Sequence, residues 1–359
     1  MEQITEEGAK KSRLVEKGEL ILANSMSFGA TYEVGVSGCI YDGWFVLREY
    51  EDNFIKNFLL QQLNTYEQQK QYSRLSAGGV VKNISSGIVY ETILKRPSKK
   101  EQQKIADCLS SIDDLISAEE KKLSLLNDYK KGWMQRLFPK EGKTVPRWRF
   151  PEFRNCVEWE EKKIGTFGEI INGLSGKKGT DFGNGEPYIQ YKQVFDKSYI
   201  DFSECGKVSI KNDEIQNAVQ KGDILFTTSS ETPDEVGFAS VVVNKPHKKT
   251  YLNSFCFILR PFDLENTIPI FFSFLFQSSV YRRSVSAIAQ GSTRYNLSRV
   301  VFRKLKIPIP PKPEEQQKIA NFLSGIDELI IRQTDKIEAL KQHKQALMQG
   351  LFPATEEVL

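Results

Sequence analysis

Histidine is nearly absent from this chain of 359 residues, and cysteine is scarce. The sequence has two histidines and five cysteines, and no two cysteines form a Cys-x-x-Cys pair. Structural zinc sites need closely spaced cysteine and histidine ligands, so this composition argues against a zinc site and predicts no metal. Scattered thiols are typical of a reducing compartment, and we therefore expect a cytoplasmic protein.

Long apolar runs and a strong excess of one charge are missing too. The longest apolar run, residues 268–276, is about half as long as a membrane span. No basic leader followed by an apolar stretch opens the sequence, so we expect neither export nor a membrane partner. Fifty Lys and Arg against 46 Asp and Glu leave a net charge of +4. That balance permits a nucleic-acid partner but does not by itself argue for one.

Motifs of catalysis are also lacking. The sequence contains no Gly-x-x-x-x-Gly-Lys-Ser/Thr phosphate loop and no Asn/Asp-Pro-Pro-aromatic motif for a base amino group. Glu231, Asp234 and Glu235 lie close together, but no acid-x-Lys sequence follows at a usable distance, which favours a solvated loop over a nuclease site. We therefore predict a non-catalytic chain that binds no cofactor of its own.

Two stretches of the chain are copies of one another at an offset of 214 residues (315 − 101). Roughly half of their positions are identical, which indicates an internal repeat. The shared sequences are Glu-Gln-Gln-Lys-Ile-Ala at 101–106 and 315–320, Ile-Asp-Asp/Glu-Leu-Ile at 112–116 and 326–330, and Met-Gln-x-Leu-Phe-Pro at 134–139 and 348–353.

Each copy predicts one long helix. Ser98 is placed to cap the first helix, and Pro313 fits the first position of the second. Apolar residues recur every 3.5 positions, which predicts two helices that pair as an antiparallel coiled coil. The alternative is that each helix packs only on the domain before it. The pairing residues are Ile105, Leu109, Ile112, Ile116, Leu123 and Leu126 in the first helix, and Ile319, Leu323, Ile326, Ile330, Ile337 and Leu340 in the second.

Polar residues interrupt both seams at equivalent places. Glu119 and Lys130 interrupt the first, and Gln333 and Lys344 interrupt the second. Single polar residues in such a seam often fix the register of the helices, and we predict that role here rather than a binding site.

The regions before the helices are strand-rich and also related to each other. Residues 17–22 and 221–226 share a Lys-Gly-Asp/Glu turn that leads into a strand, and residues 44–48 resemble 255–260. A glycine-bearing loop follows in each copy. Residues 159–221 have almost no counterpart in the first copy, so we expect the first repeat to begin partway through. The overall class predicted is α+β.

With these motifs the chain resembles the specificity subunit of a type I restriction-modification system. The doubled helix sequences, the Trp-Glu-Glu-Lys-Lys-Ile-Gly opener at 159–165 and the Lys-Gly-Asp/Glu turns carry the resemblance, which covers nearly the whole chain. It implies two target-recognition domains that each read one half of a split double-stranded DNA sequence. It also implies two modification subunits that use S-adenosylmethionine to methylate adenine N6, and a restriction subunit, the motor and nuclease, that uses ATP and Mg²⁺.

The resemblance divides the chain into alternating domains and helices. Because the first recognition domain looks incomplete, an alternative is a truncated, silent or regulatory scaffold that binds modification subunits without specific DNA recognition. The predicted parts are a first recognition domain at 1–97, a first helix at 98–139, a linker at 140–157, a second recognition domain at 158–311, a second helix at 312–353 and a tail at 354–359.

Candidate DNA contacts are polar and basic residues on glycine-bearing loops and strand ends. Phosphates attract Lys, Arg and small hydroxyl or amide groups, and base edges are read by Arg, Asn, Gln, Lys, Ser and Thr. The alternative is that the glycine loops merely turn the chain. The candidates are Asn24, Ser25, Ser27, Lys82 and Asn83 in the first copy, and Ser175, Lys177, Lys178, Thr180, Gln190, Tyr191, Lys192, Gln193, Thr227, Thr228, Ser229, Ser292, Thr293, Arg294, Tyr295 and Asn296 in the second.

Overall fold

The computed structural model of the chain describes residues 4–25, 27–76, 83–291 and 293–352. The chain divides into two compact units. The first runs to Ser124 and resumes at Arg332, and the second is Leu125–Ile331. Each unit therefore contains a segment of both long helices. The domain boundaries that the sequence suggests keep each helix whole, and they stay a prediction.

The chain begins with short elements and ends its first repeat in a long helix that continues into the second unit. These elements are α1 (Glu6–Lys11), β1 (Arg13–Val15), β2 (Leu20–Ala23), β3 (Thr31–Glu33), β4 (Gly38–Ile40), β5 (Trp44–Leu47), α2 (Lys56–Leu63), α3 (Tyr66–Leu75), α4 (Ser86–Glu91) and α5 (Lys99–Leu137).

The second repeat is longer and richer in strands. Its elements are β6 (Glu160–Lys163), β7 (Gly168–Asn172), β8 (Phe182–Ile189), α6 (Tyr191–Asp196), β9 (Gly206–Val208), β10 (Ile224–Thr227), β11 (Ser229–Ser230), β12 (Ala239–Val241), β13 (Tyr251–Leu252), β14 (Cys256–Pro261), α7 (Pro269–Leu275), α8 (Ser279–Ile288), β15 (Tyr295–Asn296), α9 (Arg299–Lys304), β16 (Lys306–Ile309) and α10 (Pro313–Leu351).

In the first unit, β2 is the central strand of an antiparallel sheet with the order β3-β2-β5. Gly18 precedes it with a φ of 92°, a conformation that glycine adopts without strain, and turns the chain into the strand. Glu19 follows and pairs with Arg48, with 2.6 Å between carboxylate oxygen and Nε. The sheet packs on α2 through buried residues that include Leu20 and Leu59.

The second unit repeats this construction around β10, in a sheet with the order β12-β10-β14-β7. Gly222 has the same φ of 92°, and Asp223 pairs with Arg260 at 2.7 Å. Further small sheets have the orders β13-β8-β9, β16-β6 and β11-β15. The rings of Phe226 and Phe257 stack 5.2 Å apart in a wholly buried aromatic core. The strand that follows each Lys-Gly-Asp/Glu turn is thus found as predicted.

A glutamine of the repeated Glu-Gln-Gln-Lys-Ile-Ala sequence ties the start of each long helix to its own domain. Gln102 is fully buried; its Oε1 accepts a hydrogen bond from Ile55 N at 2.8 Å, and its Nε2 donates to Asn53 O and Pro97 O at 3.0 and 2.9 Å. Because both ends of the amide are bonded, its burial costs little. The second copy repeats the three bonds: Gln316 Oε1 accepts from Ile268 N at 3.2 Å, and Gln316 Nε2 donates to Asn266 O and Pro310 O at 3.3 Å each.

Within each unit the segments of α5 and α10 run antiparallel and are joined by an equivalent ion pair. In the first unit Lys344 Nζ lies 2.7 Å from Asp113, and in the second Lys130 Nζ lies 2.6 Å from Asp327. The lysines are 214 positions apart, as are the aspartates. These lysines interrupt the apolar seam in the sequence, and each one bonds to the other helix.

The second pair of polar interruptions also meets. Gln333 Nε2 donates to Glu119 O at 3.0 Å and to its carboxylate at 2.6 Å, and both residues are buried. Lys336 bonds to the same carboxylate. Glu119 and Gln333 are 214 positions apart, so one residue contacts its own equivalent in the other repeat.

The seam residues lie between the helices and against the domains. Ile105 and Leu109 pack with Phe58 of α2, and Ile319 and Leu323 join the core of the second unit, so packing on the preceding domain accompanies the helix pairing. The predicted α+β class with two long antiparallel helices is confirmed. The buried seam residues are Ile105, Leu109, Ile116, Ile319, Leu323, Ile326 and Ile337, and the half-buried ones are Ile112, Leu123, Leu126, Ile330 and Leu340.

Candidate nucleic-acid interface

Three of the polar segments named from the sequence meet in the second unit, beyond the end of β10. The short strand β11 pairs antiparallel with β15, which places Ser229 opposite Asn296 and Ser230 opposite Tyr295. Tyr191, the first residue of α6, donates a hydrogen bond from its hydroxyl to Ser229 O at 2.6 Å. We call residues 190–193, 227–230 and 291–296 together the second loop group.

The tip of this group is the glycine loop at 291–296. Gly291 has a φ of 141°, and a Cβ added there would lie 2.0 Å from Arg294 O, so a side chain does not fit. Asn296 and Gln290 exchange two backbone hydrogen bonds of 2.7 and 3.0 Å across the loop. Thr293 and Arg294 are exposed between them, whereas Ser292 lies outside the described residues.

An aromatic ring supports the arginine of this loop. The Arg294 guanidinium lies 5.3 Å from the centre of the Phe255 ring, and Phe255 is half exposed just before β14. A guanidinium held over a ring keeps its N–H groups free at its edge. Gln190, Lys192 and Asn296 are exposed in the same group.

Several of the predicted contacts are instead committed to the interior of the domain. Gln193 is buried and donates to Asp201 O at 3.0 Å. Thr227 is fully buried, and its hydroxyl accepts from Phe238 N at 3.0 Å. Ser229 is buried and Thr228 half-buried. Burial also raises the pKa of the Tyr191 hydroxyl, which stays a neutral donor.

The glycine-rich segment 173–180 forms a separate group on the side of the β13-β8-β9 sheet. Ser175 exchanges two hydrogen bonds with the side chain of Gln216, at 3.1 and 2.9 Å. The Lys177 ammonium is almost fully buried between Ser209 O and Glu214. Both bonds to Gln216 use the backbone of Ser175. Ser175, Lys178 and Thr180 are exposed, so they are the candidates of this segment that a ligand can reach.

In both units the residue that follows the central strand makes the same backbone hydrogen bonds, and we call this arrangement the strand exit. Ile84 N donates to Asn24 O at 2.8 Å, and in the second unit Leu297 N donates to Thr228 O at 2.8 Å. The bond from Asn24 N to Gly43 O likewise has its equivalent in the second unit. The equivalence of the two loop regions in the sequence is therefore reproduced in the structure.

The candidates of the first unit cluster around this exit. We call residues 24–27 and 83–84 the first loop group, of which Met26 is not described. Asn24 and Ser25 are half-buried, and Ser27 and Asn83 are exposed. Lys82 lies outside the described residues.

Sequence reasoning passed over aromatic residues beside both loop groups. In the first unit Tyr41 is 65% exposed, and its ring centre lies 6.4 Å from that of Trp44. Tyr41 is next to Asp42, whose carbonyl accepts from Asn24 Nδ2 at 3.0 Å. In the second unit the sequence pattern places Phe255 in a strand, but in the structure β14 begins at the next residue and Phe255 lies outside it. No polarity signal in the sequence marks these rings as exposed.

Two of the three acidic residues near the second loop group, Asp234 and Glu235, are bonded within the protein, and Glu231 is exposed. Ser230 Oγ donates to Glu235 at 2.9 Å, and Ser286 Oγ donates to Asp234 at 3.0 Å. Among the described residues, no group of three His, Cys, Asp or Glu side chains could hold a metal ion. Within the same residues, no helix is both long enough and apolar enough to cross a membrane.

Comparison with known proteins places this architecture in a family. The chain is 27% identical over 319 residues to the putative type I restriction enzyme MjaX specificity subunit of Methanocaldococcus jannaschii, covering 86% of this chain and 69% of the relative. It is 25% identical to the MjaVIII specificity subunit of the same organism, covering 74% of this chain and 62% of that one.

A solved chain has the same fold. It comes from work on complex assembly and conformational transition of the type I R-M system, with a TM-score of 0.61, 17% identity, and coverage of 95% of this chain and 83% of that chain. The family model for the type I restriction modification DNA specificity domain matches residues 2–128 and 156–342. The chain therefore belongs to the type I restriction-modification DNA specificity family, as its repeated motifs predict.

Proposed function

We propose that this chain recognises DNA for a type I restriction-modification complex, and that each loop group addresses one half of a split target. The observation that carries the proposal is the repeated strand exit. Ile84 bonds to Asn24 in the first unit as Leu297 bonds to Thr228 in the second, each at 2.8 Å. One construction thus presents two sets of exposed polar residues, which suits a target read in two parts.

The second loop group has the better-defined chemistry for reading bases. Arg294 is exposed and supported by Phe255, and Asn296 is held by the backbone pairing of its loop. Arginine forms two hydrogen bonds with a guanine edge, and asparagine forms two with an adenine edge. Lys178 and Lys192 are exposed cations suited to phosphates, which position a protein without specifying sequence.

A double substitution tests this assignment. Arg294→Ala with Asn296→Ala is expected to lower affinity for the cognate DNA by about 1–3 kcal/mol per lost base contact and to relax the half-site that the second unit reads. Binding is measured by fluorescence anisotropy at several salt concentrations, in the complex with the modification subunit.

The matched control is Lys163→Ala with Asn155→Ala, which removes the same kinds of group from exposed positions of the same unit. Unchanged affinity and an unchanged target in the Arg294 and Asn296 variant would refute the assignment.

The helices supply equivalent surfaces for partner subunits. Leu115 and Leu329 occupy the same position in the two repeats and are 42% and 51% exposed. An exposed apolar residue on a charged helix suits a protein contact, and a duplicated one suits two copies of the same partner. We propose that two modification subunits dock there. S-adenosylmethionine would then be bound by those subunits, and ATP and Mg²⁺ by a restriction subunit, in the cytoplasm.

Single substitutions test the docking. Leu115→Asp and Leu329→Asp are each expected to remove one modification subunit, because a charge in an apolar contact is costly. Native mass spectrometry counts the subunits bound. Ser117→Asp, on the opposite face of the same helix, is the control. Loss of both copies in either variant would contradict two independent sites.

A scaffold without specific recognition by its first unit is the second candidate. In its described residues the first unit has strands equivalent to β10, β12, β13 and β14, with β4 in the place of β13, but no counterpart of β8 and β9. Modification-sensitive sequencing of DNA from cells that express the chain with its modification subunit separates the candidates. Adenine methylation in both halves of a split motif supports recognition by both units, and assembly without any motif supports the scaffold.

A further inference from the structure

A short turn, residues 253–255, connects the two groups of candidate DNA contacts in the second unit. On one side, Thr228 N of the second loop group donates a hydrogen bond to Phe255 O at 2.8 Å. On the other side, Leu174 N of the glycine-rich segment donates to Leu252 O, also at 2.8 Å. The turn therefore lies between the two groups, where β10 ends and β14 begins.

Hydrogen bonds hold the backbone of this turn in one conformation. Asn253 Oδ1 accepts from Phe255 N at 2.8 Å, and Asn253 O accepts from Cys256 N at 3.0 Å. Asn253 N is itself bonded to Ile189 O at 3.0 Å. Because both backbone polar groups of Phe255 are bonded, its side chain starts from a fixed position. A ligand that contacts a side chain on a fixed backbone loses less free energy to ordering.

The ring of Phe255 is apolar and open to solvent. It is 51% exposed, whereas the next two residues of the chain, Cys256 and Phe257, are fully buried. Single exposed rings are common on protein surfaces and need no explanation by themselves. This ring, however, is bracketed by exposed polar residues that are candidates for DNA contact, Ser175 on one side and Arg294 on the other.

Arg294 limits how this ring can meet DNA. Its guanidinium lies over one face of the Phe255 ring, 5.3 Å from the ring centre. An apolar side chain that wedges between two base pairs has to stack against both of them. Because the guanidinium already covers one face, the ring is unsuited to that role. The open face and edge remain available for a small apolar group.

The major groove of DNA offers one such group, the C5-methyl of thymine, and phenylalanine is among the side chains that contact it. Arginine pairs with the edge of a guanine in the same groove. Successive base pairs are about 3.4 Å apart along the helix axis. A ring centre and a guanidinium 5.3 Å apart can therefore reach neighbouring base pairs.

We propose that Phe255 is a specificity-determining residue that reads the methyl group of a thymine, in the base pair next to the one that Arg294 reads. This inference rests on the proposed function of the second loop group. It adds that the half-site read by the second unit has an A·T pair at one fixed position. If the ring only supported Arg294, affinity would not depend on a thymine methyl group.

Uracil in place of thymine removes only that methyl group and tests the proposal. Modification-sensitive sequencing first identifies the half-site that the second unit reads. Each thymine in both strands of that half-site is then replaced singly by uracil. Binding to the full chain in complex with its modification subunit is followed by fluorescence anisotropy. We expect one replacement to weaken binding about fourfold, the effect of leaving one methyl-sized group in water.

Substitutions assign this effect to the ring. Phe255→Ala is expected to bind the thymine and uracil duplexes equally. Phe262→Ala removes another exposed ring of the same unit and should keep the full uracil effect. Arg294→Ala should weaken binding but also keep the uracil effect. Loss of the uracil effect in Arg294→Ala together with its retention in Phe255→Ala would assign the methyl group to the arginine and overturn the proposal.

The same measurements separate this inference from the proposed function. Equal affinity for all uracil duplexes, with the recognised sequence still preferred over a scrambled one, would overturn reading by Phe255 and leave recognition by the second unit intact. No preference for any sequence would overturn both. The experiment with uracil uses the unsubstituted protein, so its outcome does not depend on how well a variant folds.

Discussion

The same ion pair closes the central strand pair of both units, but its surroundings differ. Arg48 and Glu19 have side chains that are 55% and 22% exposed, whereas Arg260 and Asp223 are 26% and 1% exposed. The hydrogen bond from Arg48 lowers the pKa of Glu19. Burial raises the pKa of Asp223 although Arg260 opposes the shift.

The comparison shows that the repeated motif determines which residues form the ion pair, whereas the surrounding segments determine how deeply the pair is buried. The Lys-Gly-Asp/Glu turn and the arginine at the end of the facing strand bring the two charges together in both units. How far water is excluded depends on segments outside the motif, such as β7, which pairs with β14. Equivalent residues therefore have equivalent partners but different energies, and substitutions at matched positions can test this.

The largest difference is expected at Glu315 and Glu101. Glu315→Ala leaves Arg149 buried without its carboxylate, and removing one partner of a buried ion pair costs about 3–5 kcal/mol of unfolding free energy. Glu101→Ala removes an exposed side chain and should change it by less than about 0.5 kcal/mol. Urea denaturation of both variants makes the comparison, and equal losses would show that the two acids are equivalent after all.

An intermediate and equal effect is expected at Gln102 and Gln316. Either change to alanine leaves the half-buried backbone N–H of Ile55 or Ile268 without its acceptor, which costs about 1–3 kcal/mol. The same denaturation experiment applies, with Gln103→Ala as the exposed neighbour control. If only one of the two variants lost unfolding free energy, the same hydrogen-bond pattern would not stabilise the two units equally.

The smallest effect concerns pH. Hydrogen bonds from Lys336 and Gln333 hold the pKa of Glu119 below its ordinary value of 4.5. The stability that this carboxylate contributes is therefore present above pH 4.5 and is lost as the pH falls through its lowered pKa. Glu119→Gln should make unfolding free energy less dependent on pH between about 6 and 3. Identical profiles for this variant and the unsubstituted protein would disprove the coupling.

Much of the fold can be predicted from the sequence because each repeated element is supported by two related segments of the chain. The starts of both helices, the antiparallel seam and the strand after each Lys-Gly-Asp/Glu turn are local patterns that appear twice. The pairing of Lys130 with Asp327 is less local, but the matching interruptions in the seams indicate that these positions have a special role.

The candidate site is less accessible to sequence reasoning. Polarity selects Gln193, Thr227 and Lys177 as readily as it selects Arg294, yet the first three bond to groups within their own domain. Those partners lie 8 to 37 positions away in sequence, so only the tertiary fold brings them together. Exposed rings such as Phe255 are missed because an aromatic residue next to an apolar strand is usually buried, and the sequence therefore predicts that it belongs to the core.

The contact between Glu119 and Gln333 limits how alike the two repeats can become. Because these residues are equivalent, any recombination that copies one repeat over the other would place two identical side chains face to face. Two glutamates would set two carboxylates against each other in a buried position, and two glutamines would leave Lys336 without its partner. The two positions therefore have to carry different residues for this contact to form, and the contact distinguishes one copy of the helix from the other.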